Sequence, residues 1–193
     1  MRARVPQPRS TLWRRLFLAT CWVLAMASGQ TVQAQTPSDA ERAIKATYLY
    51  KFGPFIEWPE AAFRSPDEAI RLCIVGIDPF GAIVEHALAE QQIQQRPIRI
   101  LRMATADPAA RCHILYAAGS PAQSVSAILA TIRGLPVLTV TGDDTADPAA
   151  GIIHFVIHDG RVRFEVDDAA AALNGIAISS KVLSLALRVR PRI

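Results

Sequence analysis

Between residues 70 and 166 the chain alternates short, β-branched runs with helix-like segments led by proline, and no other feature narrows its fold so far. Residues 70–76 (IRLCIVG) are apolar on both alternating faces, as buried strands of parallel sheets are. Asp78-Pro79 then supplies a capping acid and a first-turn proline, which predicts a helix over 79–90. Residues 97–103 (PIRILRM) and 112–117 (CHILYA) read as two further strands. A helix opened by Pro121 runs to about Arg133, and 136–141 (PVLTVT) gives a fourth strand. The acidic, turn-rich loop GDDTADPAAG leads into IIHFVIHDGRVRFEV, in which Asp159-Gly160 between two strand-like runs is a strong hairpin signal. Short helices over 168–174 and 179–188 close the chain, the second capped by Ser179-Ser180. Strands alternating with helices, then an antiparallel pair, specify an α/β fold. The expected architecture is a single domain with a mixed, mostly parallel sheet flanked by helices on both faces, plus a C-terminal β-hairpin and short helices.

Ahead of this pattern, Ser38 or Asp39 caps a helix that runs to about Lys51 or beyond. It leads into YLYKFGPFIEWP, where Tyr48, Tyr50, Phe52, Phe55 and Trp58 crowd together in a chain with only 7% aromatic residues. Gly53-Pro54 kinks or ends the helix and Trp58-Pro59 stops it, because the residue before proline avoids helical dihedrals. Tyr48, Phe52 and Phe55 are expected as core anchors, with Trp58 plugging the end. Tyr50 and Trp58 leave part of the stretch for a partner surface.

Residues 1–34 read as a cleaved signal peptide: Arg2, Arg4, Arg9, Arg14 and Arg15 without an acid, the apolar run LFLATCWVLAMA, and Val32-Gln33-Ala34 before the cut. The apolar run is shorter than the twenty or so residues of a retained membrane span, and Leu18-Ala19-Thr20-Cys21 is a poor lipoprotein signal. The remaining residues 35–193 form the domain, with its core over about 40–188. The whole chain carries 21 basic and 17 acidic residues. Removing five arginines leaves 16 against 17, a net charge of −1, so the basic character belongs to the export segment. Without a basic patch, nucleic acid is a poor partner. Two cysteines, Cys73 and Cys112, remain in an oxidising compartment, where a single disulfide is the default. A redox-active pair lacks CxxC spacing. A metal site lacks a His/Cys grouping, although His113 adjoins Cys112.

No constellation supports catalysis. The serines have no Gly-x-Ser-x-Gly setting. His86, His113, His154 and His158 lack metal-ligand spacing, His154 and His158 lying about 13 Å apart by strand rise. Glu165, Asp167 and Asp168 read as hairpin and cap positions. No cofactor is expected and the chain is read as a non-enzyme. A ligand loop is possible at GIDPFG, residues 76–81, through Gly76, Asp78 and Gly81, since loops after the first strand of an α/β sheet accept ligands. It is neither GxGxxG nor a P-loop, and Asp78 repels phosphate, so helix capping is the preferred account.

Taken in order, AIKATYLYKFGPFIEWP, LCIVGIDPFG, CHILY, VLTVTG, RVRFEV and GIAISSKVLSLA resemble the YfiR/HmsC-like family from about Ala43 to Leu187. The resemblance implies a non-catalytic periplasmic repressor that binds the periplasmic sensor domain of an inner-membrane diguanylate cyclase, limiting cyclic-di-GMP signalling and biofilm formation. It implies a structural disulfide at Cys73 and Cys112 and a homodimer; partner contacts are expected in the C-terminal segment around Ile176, Ile178 and Lys181 and on the hairpin at Glu165. A second cysteine pair of the family, around GDDTADPAAG, is absent here, and Asp167 stands where the family tends to have asparagine. The alternative function is a periplasmic small-ligand binder using the GIDPFG loop.

Overall fold

The computed structural model describes residues 38–143 and 149–192. The expected signal peptide, residues 1–34, and the middle of the GDDTADPAAG loop lie outside the described residues. Helix α1 (Asp39–Lys51) is capped by Ser38, whose hydroxyl accepts from Glu41 N at 3.1 Å. The helix ends at Lys51, as expected, just ahead of Gly53-Pro54. Phe52 closes it, Gly53–Phe55 make one 3-10 turn, and the chain is already extended in β1 (Ile56–Glu57) when it reaches Trp58.

Next come β2 (Ile70–Gly76), α2 (Ala82–Leu88), β3 (Gln92–Ile93), β4 (Arg96–Met103), β5 (Ile114–Gly119), α3 (Val125–Ile132) and β6 (Leu138–Gly142). The chain ends with β7 (Ile153–His158), β8 (Arg161–Asp167), α4 (Asp168–Leu173), β9 (Ala177–Ile178), α5 (Ser180–Leu185) and β10 (Arg188–Arg190). Eight strands form one sheet in the order β10-β8-β7-β6-β5-β2-β4-β3. Pairing is parallel except for β7–β8 and β3–β4. This is the mixed, mostly parallel α/β sheet expected from the sequence.

The alternation along β2 and β5 explains why helices cover both faces. Leu72, Ile74, Ile114 and Tyr116 point into a core with Ala46, Leu49 and Phe52 of the first helix and Val84 and Leu88 of α2. Cys73, Val75, Leu115 and Ala117 point the other way, into a smaller core closed by Val125, Ile128 and Ile132 of α3. Runs apolar on both faces are what such burial requires. Much of the aromatic stretch is core: Phe52 is buried and stacks on Tyr48, with centroids 5.5 Å apart, and meets Phe164 edge-on at 5.1 Å. Tyr48, Tyr50, Phe55 and Trp58 are partly buried against the same core.

Several boundaries differ from expectation for definable reasons. The helix expected over 79–90 spans only Ala82–Leu88, because the Asp78 carboxylate accepts from Phe80 N at 2.7 Å and caps a turn rather than the helix. Pro121 lies in a Ser120–Gln123 turn, and α3 starts at Val125 under the Ser124 cap. The last helix, expected over 179–188, ends at Leu185, and Arg188 instead opens the edge strand β10. The hairpin follows the expectation: Asp159 and Gly160 have φ of 50° and 67°, and registry runs from Ile153↔Val166 to His158↔Arg161.

Candidate interaction surface

Cys73 and Cys112 are joined in a disulfide with Cα atoms 5.9 Å apart. Cys73 lies within β2 and Cys112 two residues before β5, so the bond clamps neighbouring parallel strands. His113 beside it is buried and neutral. Its Nδ1 accepts from Arg71 N at 3.0 Å and its Nε2 faces Ala62 O at 3.3 Å, which fixes the proton on Nε2. Its ring stacks on Phe63 at 4.6 Å, and the Arg96 guanidinium covers the other face of Phe63 at 3.8 Å. Loss of water around the ring pushes the His113 pKa below its ordinary value. Every ring nitrogen is therefore used by the fold.

The loop at Gly76, Asp78 and Gly81 is closed by its own bonds. Gly76 has φ 99°, and a Cβ there would lie 2.2 Å from Gly119 O, so the tight approach of β2 and β5 demands glycine. Ile77 N donates to Gly119 O at 2.9 Å. The second Asp78 oxygen accepts from Arg102 Nε at 2.6 Å, and Arg102 also reaches Glu85 at 2.5 Å and Gly81 O at 3.0 Å. Hydrogen bonding from Arg102 lowers the Glu85 pKa. Both carboxylates and the arginine satisfy one another, tying the loop to β4.

The C-terminal region presents a different surface. β9 pairs antiparallel with β1 in register Ile56↔Ile178, and Ser179 N donates to Phe55 O at 2.9 Å. Of the four expected partner contacts, Ile176 and Ile178 are only 2% and 7% exposed and belong to the core. Lys181 is exposed on α5, its ammonium 5.3 Å from the Phe55 ring. Glu165 is half-buried on β8 and pairs with Arg188 at 2.9 Å. The structure thus places Glu165 and Lys181 outward and the two isoleucines inward.

Asp167 uses both of its carboxylate oxygens. One oxygen caps α4 by accepting from Ala170 N at 2.8 Å, and the other accepts from Arg190 Nη1 at 3.0 Å. Asparagine makes the cap equally well but brings no charge to Arg190. Asp168 receives both Nε and Nη2 of Arg192, at 2.9 and 3.0 Å. A cleft of about 440 Å3 runs beside these pairs, lined by Gly151, His154, Glu165, Asp167, Arg188 and Arg190. Arg188, Arg190 and Arg192 were not singled out in the sequence. Their signal was a period-two charge pattern, RVRPR, matching Glu165 and Asp167 on the neighbouring strand β8.

Among the described residues no group of three or more His, Cys, Asp or Glu side chains is placed to hold a metal, and no helix is long and apolar enough to cross a membrane. No curated protein matches the chain. The family model described as YfiR/HmsC-like matches residues 42–187, from the body of α1 to just past α5. Its members are periplasmic, non-catalytic regulators of diguanylate cyclase signalling. On a match spanning most of its length, the chain belongs to the YfiR/HmsC-like family.

Proposed function

We propose that this chain is exported to the periplasm by its N-terminal segment, binds the periplasmic sensor domain of an inner-membrane diguanylate cyclase, and holds that enzyme inactive. The result is less cyclic-di-GMP and less biofilm. The observation that carries this reading is the family match over residues 42–187. A disulfide that clamps two core strands suits an oxidising compartment. Repression works by population shift: the chain binds the inactive form of the sensor more tightly than the active form, and every 1.4 kcal/mol of that difference shifts the balance about tenfold.

The contacts are assigned to the outward side chains Glu165 and Lys181, with Ile176 and Ile178 holding from beneath the elements that carry them. A charged rim over an apolar support tunes association rate and orientation. Deleting the gene raises cyclic-di-GMP and biofilm, and complementation with an export-competent copy restores both. An unchanged cyclic-di-GMP level in the deletion strain removes the proposal.

A further inference from the structure

The longest strand of the sheet is only partly paired. The eight residues of β4, Arg96–Met103, lie between β2 and β3. β2 runs beside them from Ile70↔Ile98 to Val75↔Met103, but β3 meets them only at Gln92↔Pro97 and Ile93↔Arg96. Among the described residues no strand lies on the β3 side of Ile98–Met103.

The turn fixes which backbone groups this leaves open. Gln94 and Gln95, both at positive φ, make the two-residue turn between β3 and β4. The residues flanking such a turn, here Ile93 and Arg96, exchange both ladder bonds. Alternation then directs the N–H and C=O groups of Ile98, Ile100 and Arg102 to the same side as those of Arg96, past the end of β3. Edges are commonly blunted by a proline or a bulge. Pro97 already lies opposite β3, and the β2–β4 register is unbroken over Ile98–Met103. Such an edge accepts an extended segment as a further strand, main-chain bonds supplying affinity and alternate side chains selectivity.

The side chains along the edge specify what that strand carries. Ile98, Ile100, Leu101 and Met103 are half-buried, packed against the cores on the two faces. Arg102 is held by Asp78 and Glu85. Arg99 is exposed, has no partner among the described residues, and lies beside Arg71 in the β2–β4 register. Arg71 is engaged by Glu68 and by Ala110 O. Like charges on neighbouring strands favour an acid on the next one. A second copy of this chain offers the opposite, because its own Ile98–Met103 edge brings Arg99 and Arg102 and no acid.

We propose that the open edge of β4 takes an extended segment of another protein as an added strand, apolar opposite Ile98, Ile100, Leu101 and Met103 and acidic opposite Arg99. β4 is separated from β8 by four strands. This partner is therefore additional to the sensor contacts at Glu165 and Lys181, and the inference does not rest on the cyclase reading.

Two fluorescein-labelled peptides, TVEVVTVT and its reverse TVTVVEVT, present the pattern in either strand direction, and anisotropy reads their uptake by the exported chain. One of them is expected to saturate, and its counterpart with lysine in place of glutamate to bind about tenfold more weakly. Arg99→Glu is expected to reverse that preference. Methylating alternate backbone nitrogens of the peptide is expected to abolish uptake for one alternate set and spare the other. Failure of both peptides to saturate by about 1 mM overturns the proposal, as does uptake indifferent to methylation or to the charge at Arg99. Ile100→Pro deletes an outward N–H and leaves the β2 ladder intact, whereas Ile100→Thr keeps that N–H. Equal uptake by these two variants overturns the proposal, and the methylated peptides decide the same point if Ile100→Pro fails to fold. A chain that takes up neither peptide but forms a dimer lost in Ile100→Pro overturns it in favour of a second copy.

Discussion

The strands around β2 and the strand pair β8–β10 belong to one sheet but are secured by different physics. β2 and β5 are buried on both faces, crossed by a disulfide and flanked by a buried histidine whose two nitrogens are bonded. β10 is joined to β8 by two arginine–acid pairs at the surface, and just beyond it Arg192 pairs with Asp168 of α4. Burial and a covalent clamp scale with area and loop length and are not screened by salt. Surface charge pairs fade as salt rises. The centre of the sheet is thus a fixed frame and its C-terminal edge an adjustable one, where a regulator can alter its contacts without unfolding.

The largest effect is expected at the clamp. Cys73→Ser with Cys112→Ser opens a loop with a sequence separation of 39, a loss of about 4 kcal/mol in the chain-entropy model. Urea unfolding of the variant against the oxidised chain checks it, and a loss smaller than that of the charge-pair variants below breaks the contrast.

An intermediate effect is expected at His113. Removing its two bonds with His113→Gln costs about 1–3 kcal/mol for a buried polar site. Its pKa is held below the ordinary 6.5 by burial, so the unfolded chain takes up a proton before the folded one does. The stability contributed by the neutral ring is therefore complete above pH 6.5 and is lost as pH falls below it. Melting curves from pH 7.5 to 5 are expected to show this slope in the native chain and lose it in the variant. A slope of equal size in both assigns the loss elsewhere.

The smallest effect belongs to the edge. Arg188→Ala and Arg190→Ala each remove one exposed pair, worth about 0.2–1 kcal/mol, with the difference vanishing in high salt. The same comparison in low and high salt sharpens the contrast, because the Cys73→Ser/Cys112→Ser loss is expected to persist in both.

What was legible in the sequence divides along the same line. Residues 70–76 announce a doubly buried strand, and Asp159-Gly160 announces the hairpin, because both signals are local and concern burial or backbone dihedrals. β10 was hidden because Arg188 and Arg190 acquire meaning only opposite Glu165 and Asp167, more than twenty residues earlier. The β1–β9 pair joins two-residue strands some 120 positions apart, beyond any periodic signal. The β3–β4 turn is built from Gln94 and Gln95 at φ 51° and 66°, where Asn-Gly is the usual mark, so nothing local flagged it. In the expected partner set, Ile176 and Ile178 had been grouped with Glu165 and Lys181 by position along the chain. Their burial separates support from surface.

Direct binding decides the central claim. Residues 35–193, purified with the disulfide intact, are titrated into the isolated periplasmic domain of a membrane diguanylate cyclase from the same cell, and heat is recorded. Saturable binding that weakens at least tenfold in Glu165→Arg with Lys181→Glu is the expected result. No binding, or binding unchanged by that pair of substitutions, contradicts the account.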